Sequence, residues 1–114
     1  MTPDYDTLSN CLKALAHPAR LQILDMLRRG EVCVCHIETA LGRRQAYVSQ
    51  QLMVLRETGL VASRRDGLRV FYRLADPLAA DLLDAALGPI HPGRGPARLE
   101  GCPCPACAVS VAEA

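Results

Sequence analysis

Cysteines are the residues of this 114-residue chain whose type and spacing favour chemistry. Cys33 and Cys35 are separated by one residue, and Cys102, Cys104 and Cys107 cluster near the C-terminus. Thiolate sulfur is a soft ligand that selects thiophilic ions, and thiols also form disulfides under oxidation. In a reducing cytosol, these cysteines fit metal ligands, redox sensors or packing residues better than a disulfide framework.

Two further residues, Cys11 and His36, are possible ligands and lie in predicted helices. Cys11 recurs at helical spacing with Leu8, Leu12 and Leu15, which favours burial over ligation. His36, beside the cysteine pair, has two interpretations: a nitrogen ligand for zinc or cadmium, or an exposed helix histidine.

The basic residues are concentrated in the middle of the chain. Residues 43–73 carry seven of the 13 basic residues, all of them arginine, and only two of the 12 acidic residues. The planar guanidinium can donate two hydrogen bonds to one phosphate. The segment therefore points to nucleic acid, and a solvated charged face is the alternative.

Hydrophobic periodicity predicts a mainly α-helical domain with a β-hairpin wing in residues 1–87. Two helices precede the cysteine pair, a short third helix covers about residues 33–41, and a fourth follows Arg43-Arg44 and runs to about residue 58. A tight turn at Gly42 joins the last two, as in a helix-turn-helix. Alternating segments around Asp66-Gly67 predict the hairpin. The expected fold is a winged helix-turn-helix.

The last predicted helix begins at Asp76-Pro77 and carries an apolar stripe. Such a stripe requires a partner, and a symmetric homodimer through the first and last helices would provide one. Residues 88–114, rich in Gly and Pro, are predicted to be a flexible, cysteine-containing tail. Because no signal peptide and no apolar run of membrane-spanning length is found, we expect a soluble cytoplasmic protein without a membrane partner.

The chain resembles the ArsR/SmtB family of metal-responsive repressors. The resemblance rests on motifs at residues 14–24, 31–35, 48–52 with 55–61, and 66–67 with 70–74. It implies a dimeric winged helix-turn-helix repressor, not an enzyme, that leaves double-stranded operator DNA when a metal or metalloid binds.

The fourth helix is expected to enter the major groove, where Gln45 and Gln50 are candidates for hydrogen bonds with bases. Nearby arginines are candidates for phosphate or minor-groove contacts, which set affinity and its salt dependence. The predicted DNA-binding residues are Arg43, Arg44, Gln45, Ala46, Tyr47, Ser49, Gln50, Arg64, Arg65 and Arg69.

The resemblance also implies what the cysteines bind. Similar Cys-Val-Cys pairs bind arsenite or antimonite in some family members and cadmium or lead in others. The third cysteine of the arsenite-type pattern is replaced here by Glu38, so a further sulfur must come from the tail. The expected inducer is As(III) or Sb(III), and the predicted ligands are Cys33, Cys35, Cys102, Cys104 and Cys107.

The arrangement of these ligands leaves two questions. The tail cysteines could instead form a separate three-sulfur site. If Cys33 and Cys35 both lie on a helix, they point about 200° apart, so a shared ion would require a distorted helix start.

Three alternative functions stay open. The first is a repressor that responds to Cd(II), Pb(II) or Hg(II), with Zn(II) as a further ion. The second is a thiol-redox or persulfide sensor that acts through a disulfide between Cys33 or Cys35 and the tail. The third is a thiol oxidoreductase or metal-transfer protein, which the absence of a thioredoxin-like pattern disfavours.

Overall fold

The computed structural model describes residues 4–90 and Cys102. The elements in chain order are α1 (Tyr5–Leu15), α2 (Pro18–Arg28), β1 (Val32–Cys33), α3 (Val34–Leu41), α4 (Gln45–Glu57), β2 (Val61–Asp66), β3 (Arg69–Leu74) and α5 (Pro77–Leu87). The predicted mainly helical architecture with a hairpin wing is confirmed. None of the helices in this part of the chain is long and apolar enough to span a membrane.

Local sequence signals set most of the helix boundaries. The Asp4, His17 and Asp76 side chains accept hydrogen bonds from backbone N–H groups in the first turns of α1, α2 and α5. These caps satisfy donors that a helix start leaves without a partner. Gly42 ends α3 with a left-handed φ of 61°, a conformation that glycine adopts without strain. The turn that follows leads directly into α4.

The three strands form an antiparallel sheet in the order β1-β3-β2. The third helix, predicted to begin at about Cys33, begins one residue later at Val34, because Cys33 has extended backbone (φ −71°, ψ 149°) and pairs with Phe71 of β3. A two-residue strand has no periodicity to reveal it in the sequence, and pairing with the wing decides its conformation. Consequently the cysteine pair lies at a strand-to-helix junction.

A single core joins the helix-turn-helix to the base of the wing. The inward-facing residues predicted for α4 are confirmed, since Val48, Leu52 and Leu55 are at most 1% exposed. They pack with Ile23 and Leu24 of α2 and with other residues of the same cluster. Full burial of such side chains contributes about 1.5–3 kcal/mol each. This packing fixes α4 relative to α3 and leaves its polar face outward.

Arg28 ties α2 to the end of α5. Its side chain is only 4% exposed, and its guanidinium donates to Asp25, to Asp84 and to the carbonyl oxygen of Gly88, at 2.6–3.1 Å. A cation at this position also complements the negative C-terminal end of the α5 dipole. The chain therefore leaves α5 in a fixed direction.

The two terminal helices of this domain expose apolar side chains. Cys11 is buried in the core as expected, whereas its neighbours Leu8 and Leu12 are partly exposed. Apolar residues of this kind on α1 and α5 are Tyr5, Leu8, Leu12, Leu78 and Leu87. An exposed apolar surface on two helices is suited to association with another chain.

Candidate DNA-binding surface and cysteine site

The outward face of α4 carries the residues predicted to contact DNA. Gln45, Ala46, Ser49 and Gln50 are exposed, on the side away from the buried Val48 stripe. A helix held by its apolar side against a core can present such a polar face to the major groove. Their contacts with bases stay a prediction.

The start of this helix combines cationic and aromatic groups. The Arg43 guanidinium carbon lies 4.1 Å from the ring centroid of the half-buried Tyr47, and Arg44 is the exposed N-cap residue. Stacking on the ring orients the Arg43 fork while leaving a positive charge at the helix N-terminus. Such a pair of arginines is suited to phosphate.

Two of the three predicted wing arginines are bonded within the protein. The Arg64 Nε lies 2.9 Å from both carboxylate oxygens of Glu31, and its guanidinium stacks on Phe71 at 4.6 Å from the ring centroid. Hydrogen bonds from Arg64 hold the pKa of Glu31 below its usual value. Arg69 Nη1 lies 3.7 Å from Cys35 Sγ. Arg65 is exposed on the opposite face of β2, where its register partner is Val70.

The sulfurs of Cys33 and Cys35 are already in contact. Their Sγ atoms lie 2.7 Å apart, with Cys33 at the end of β1 and Cys35 in the first turn of α3. The expected helix distortion assumed that both residues are helical, and this condition is not met because Cys33 lies in β1. The extended backbone at Cys33 brings its sulfur beside that of Cys35.

Cys102 joins this pair from the C-terminal segment. It is 7% exposed and packs with the buried Cys33 in a small cluster that Val34, Cys35 and Phe71 complete. The structure thus brings together three of the five predicted ligand residues. The other two, Cys104 and Cys107, lie outside the described residues.

The electrostatics of the cluster favour the neutral form of the Cys35 thiol. Burial raises the pKa of the Cys35 thiol above its ordinary value, and the Cys33 and Cys102 thiols raise it further. Closely packed sulfurs cannot all ionise in a region of low dielectric. The only cation that the hydrogen bonds place on this sulfur, within the described part of the chain, is Arg69.

The packed sulfurs must separate to hold an ion. Within residues 4–90 and Cys102, no three His, Cys, Asp or Glu side chains are arranged to coordinate a metal ion. The Cys33 and Cys35 sulfurs are in direct contact, so an ion that binds both must enter between them.

Three features of the site were not predicted. His36 is buried, not exposed, and burial lowers its pKa. Glu31 binds Arg64, and Phe71 covers the cysteines. A signal for Phe71 exists, since it is two residues from both Arg69 and Arg73 and so shares their face of β3. No local signal pairs Glu31 with an arginine 33 positions away.

A helix-turn-helix packed on a three-stranded sheet with a two-stranded wing defines a winged helix-turn-helix protein. Residues 17–63 match the family model described as a bacterial regulatory protein of the arsR family. The chain belongs to the ArsR family, and the expectation that it is not an enzyme agrees with that membership.

Known relatives and structures extend this similarity. The chain is 51% identical over 74 residues to the biofilm growth-associated repressor of Agrobacterium fabrum, covering 65% of this chain and 63% of that protein. HlyU from Vibrio cholerae aligns with a TM-score of 0.72 at 34% identity, covering 75% of this chain and 94% of HlyU. The homodimeric DNA-binding domain of Mb0332 from Mycobacterium bovis aligns with a TM-score of 0.66 at 42% identity, covering 71% and 75%.

Proposed function

We propose that this chain is a homodimeric transcriptional repressor that leaves its operator when trivalent arsenic or antimony binds Cys33, Cys35 and Cys102. The observation that carries the proposal is the packing of Cys102 against the Cys33/Cys35 pair. The three thiols, at the end of β1, in the first turn of α3 and in the C-terminal segment, lie in one cluster and supply the number of soft donor atoms that a three-coordinate ion takes. Cys104 and Cys107 are candidates to replace or supplement Cys102.

Operator binding uses the polar face of α4 and the arginines around it. Gln45 and Gln50 read bases, while Arg43, Arg44 and Arg65 contact phosphates. The exposed apolar residues of α1 and α5 form the dimer interface, in support of which the Mycobacterium bovis relative is a homodimer. A twofold dimer would place two α4 helices on successive turns of the DNA.

Arsenous acid suits protonated, buried thiols. Each of its three As–O bonds is replaced by an As–S bond, and each departing hydroxide takes the proton of one thiol and leaves as water. No ion is left in the cluster, so the cost of burying charge is avoided. The raised pKa of Cys35 is therefore no obstacle to this exchange.

Binding would separate two rigid elements. Entry of an inducer between the two sulfurs moves Cys33, which is hydrogen-bonded into the sheet, relative to Cys35 in the first turn of α3. Since α3 packs on α4, the wing and the recognition helix can no longer keep their relative position. A difference of about 1–3 kcal/mol in inducer affinity between the free and DNA-bound forms suffices for release.

Operator release can be followed by fluorescence anisotropy on a DNA fragment selected from a random library. Arsenite is expected to release the wild type, whereas it should not change the operator affinity of Cys35→Ala or Cys102→Ala. Cys11→Ala is the matched control, because this buried cysteine lies in α1 apart from the cluster. A wild-type response of Cys102→Ala would contradict the shared site. X-ray absorption should count three sulfurs around the bound arsenic.

A redox sensor is the second candidate. The sulfur contacts favour it, and a structure of reduced HlyU is similar to this chain, with 35% identity and a TM-score of 0.68. Two thiols would form a disulfide, giving two protons and two electrons to a peroxide that is reduced to water. Operator release by peroxide, reversed by dithiothreitol and independent of arsenic, would support this candidate.

A further inference from the structure

One face of the wing is built against the cysteine cluster. Side chains alternate along a strand, so Arg69 and Phe71 lie on the same side of β3. In the register of the sheet, Phe71 lies between Cys33 of β1 and Arg64 of β2. On this face, Phe71 and Arg69 therefore contact the cysteines.

Two polar contacts connect the wing to the cysteine segment. Arg64 binds the carboxylate of Glu31, which precedes β1, and Arg69 binds the sulfur of Cys35. The first contact joins two charged groups that do not react with an inducer. Only the second ends on an atom whose chemistry would change when an inducer binds.

The Arg69 contact is sensitive to small movements of sulfur. Its length of 3.7 Å is near the limit for hydrogen bonds to sulfur, and a neutral thiol is a weak acceptor. Displacement of the Cys35 sulfur by an inducer that enters between Cys33 and Cys35 would lengthen this contact further. Donation of the sulfur lone pair to an inducer would weaken it further.

We propose that Arg69 is the residue that couples the state of Cys35 to operator affinity. With Cys35 as a free thiol, Arg69 holds the wing against the cysteine segment in the orientation that binds DNA. When the sulfur binds an inducer, Arg69 is released and the wing loses that orientation. The inference rests on the proposed function, and it assigns Arg69 a positioning role in place of a simple phosphate contact.

The test compares operator affinity with and without saturating arsenite for the wild type and for Arg69→Gln. Arg65→Gln is the matched control, since Arg65 is on the same wing but on the opposite face. The induction ratio is the dissociation constant with arsenite divided by that without. Arg69→Gln should lower this ratio at least fivefold, whereas Arg65→Gln should weaken binding equally in both states.

Salt dependence separates coupling from simple phosphate binding. Loss of one phosphate contact lowers the slope of log affinity against log salt by about 0.9. If Arg69→Gln keeps the wild-type induction ratio and lowers this slope as Arg65→Gln does, the coupling role is wrong. Arg69→Lys, which keeps the charge but not the guanidinium fork, should keep the wild-type salt slope, bind operator more weakly without arsenite and show a reduced ratio. A wild-type ratio in Arg69→Lys also counts against the proposal.

The failure of the proposed function would look different. In that case arsenite would leave the wild type on its operator, whatever residue is present at position 69, and the coupling role would fail with it. Circular dichroism of each variant establishes that it is folded. In the Cys35→Ala background, Arg69→Gln should produce no further change in the induction ratio.

Discussion

The proton balance of inducer binding distinguishes arsenous acid from a divalent cation. Burial and the neighbouring Cys33 and Cys102 thiols raise the pKa of Cys35, so this thiol keeps its proton between about pH 6 and pH 8. A divalent cation must displace that proton, which then appears in solution. Arsenous acid brings hydroxides that take up the thiol protons, so its binding releases none.

The size of the pH effect on cadmium affinity follows from mass action. Each displaced proton raises the apparent affinity about tenfold per pH unit, so Cys35 alone should make Cd(II) binding roughly 100-fold tighter at pH 8 than at pH 6. The midpoint for arsenite should change little over the same range. The assay is the inducer concentration that releases half of the operator, at fixed ionic strength and with a phosphine reductant.

Operator affinity without inducer, measured at each pH, corrects for any titration of the DNA interface. For Cys35→Ala, direct calorimetric titration with Cd(II) should give a pH slope that is lower by one proton. A cadmium midpoint that does not vary with pH would mean that Cys35 is already a thiolate, which would refute the reasoning from its surroundings. An arsenite midpoint that falls tenfold per pH unit would refute the neutral exchange.

Three further predictions concern the parts of the fold that support this site. Arg28→Gln should lower the free energy of unfolding by about 1–3 kcal/mol in urea titrations, since buried hydrogen bonds are lost, and an unchanged midpoint would contradict the role of this clamp. Leu12→Asp should give a folded monomer with weakened operator binding, and a dimer by sedimentation would place the interface elsewhere. Glu31→Gln frees Arg64, so the salt slope of operator binding should steepen by up to about 0.9; no change would mean that Arg64 does not reach phosphate.

Much of the fold could be predicted because its signals are local. Val48, Leu52 and Leu55 show the helical period of α4, and Gly42 marks the turn before it. Strand β1 could not be predicted, since two residues have no period and Cys33 becomes extended only through pairing with Phe71. The hairpin turn lies one residue later than the predicted Asp66-Gly67, because Asp66 pairs with β3 and Gly67 begins the connection.

The chemistry of the cysteine site was easier to predict than its geometry. Residue type alone indicated thiol ligands, and the absence of a third nearby cysteine directed attention to the tail. The positions of His36 and Arg69 depend on how α3 and the wing pack, which no local pattern encodes. Charged pairs such as Glu31 with Arg64 form between distant segments, where many alternatives are equally compatible with the sequence.

The positions of Cys33 and Cys35 explain how two cysteines separated by one residue can act as a switch for operator binding. If both residues were helical, opening the sulfurs would distort α3 itself, and the change would be absorbed within one turn. Here Cys33 belongs to the sheet and Cys35 to the helix, so any change in their separation is a displacement between two elements. Packed cores resist gradual deformation and shift between discrete arrangements. In the proposed mechanism, a movement of the sulfurs is passed to the wing on one side and to the helix-turn-helix on the other.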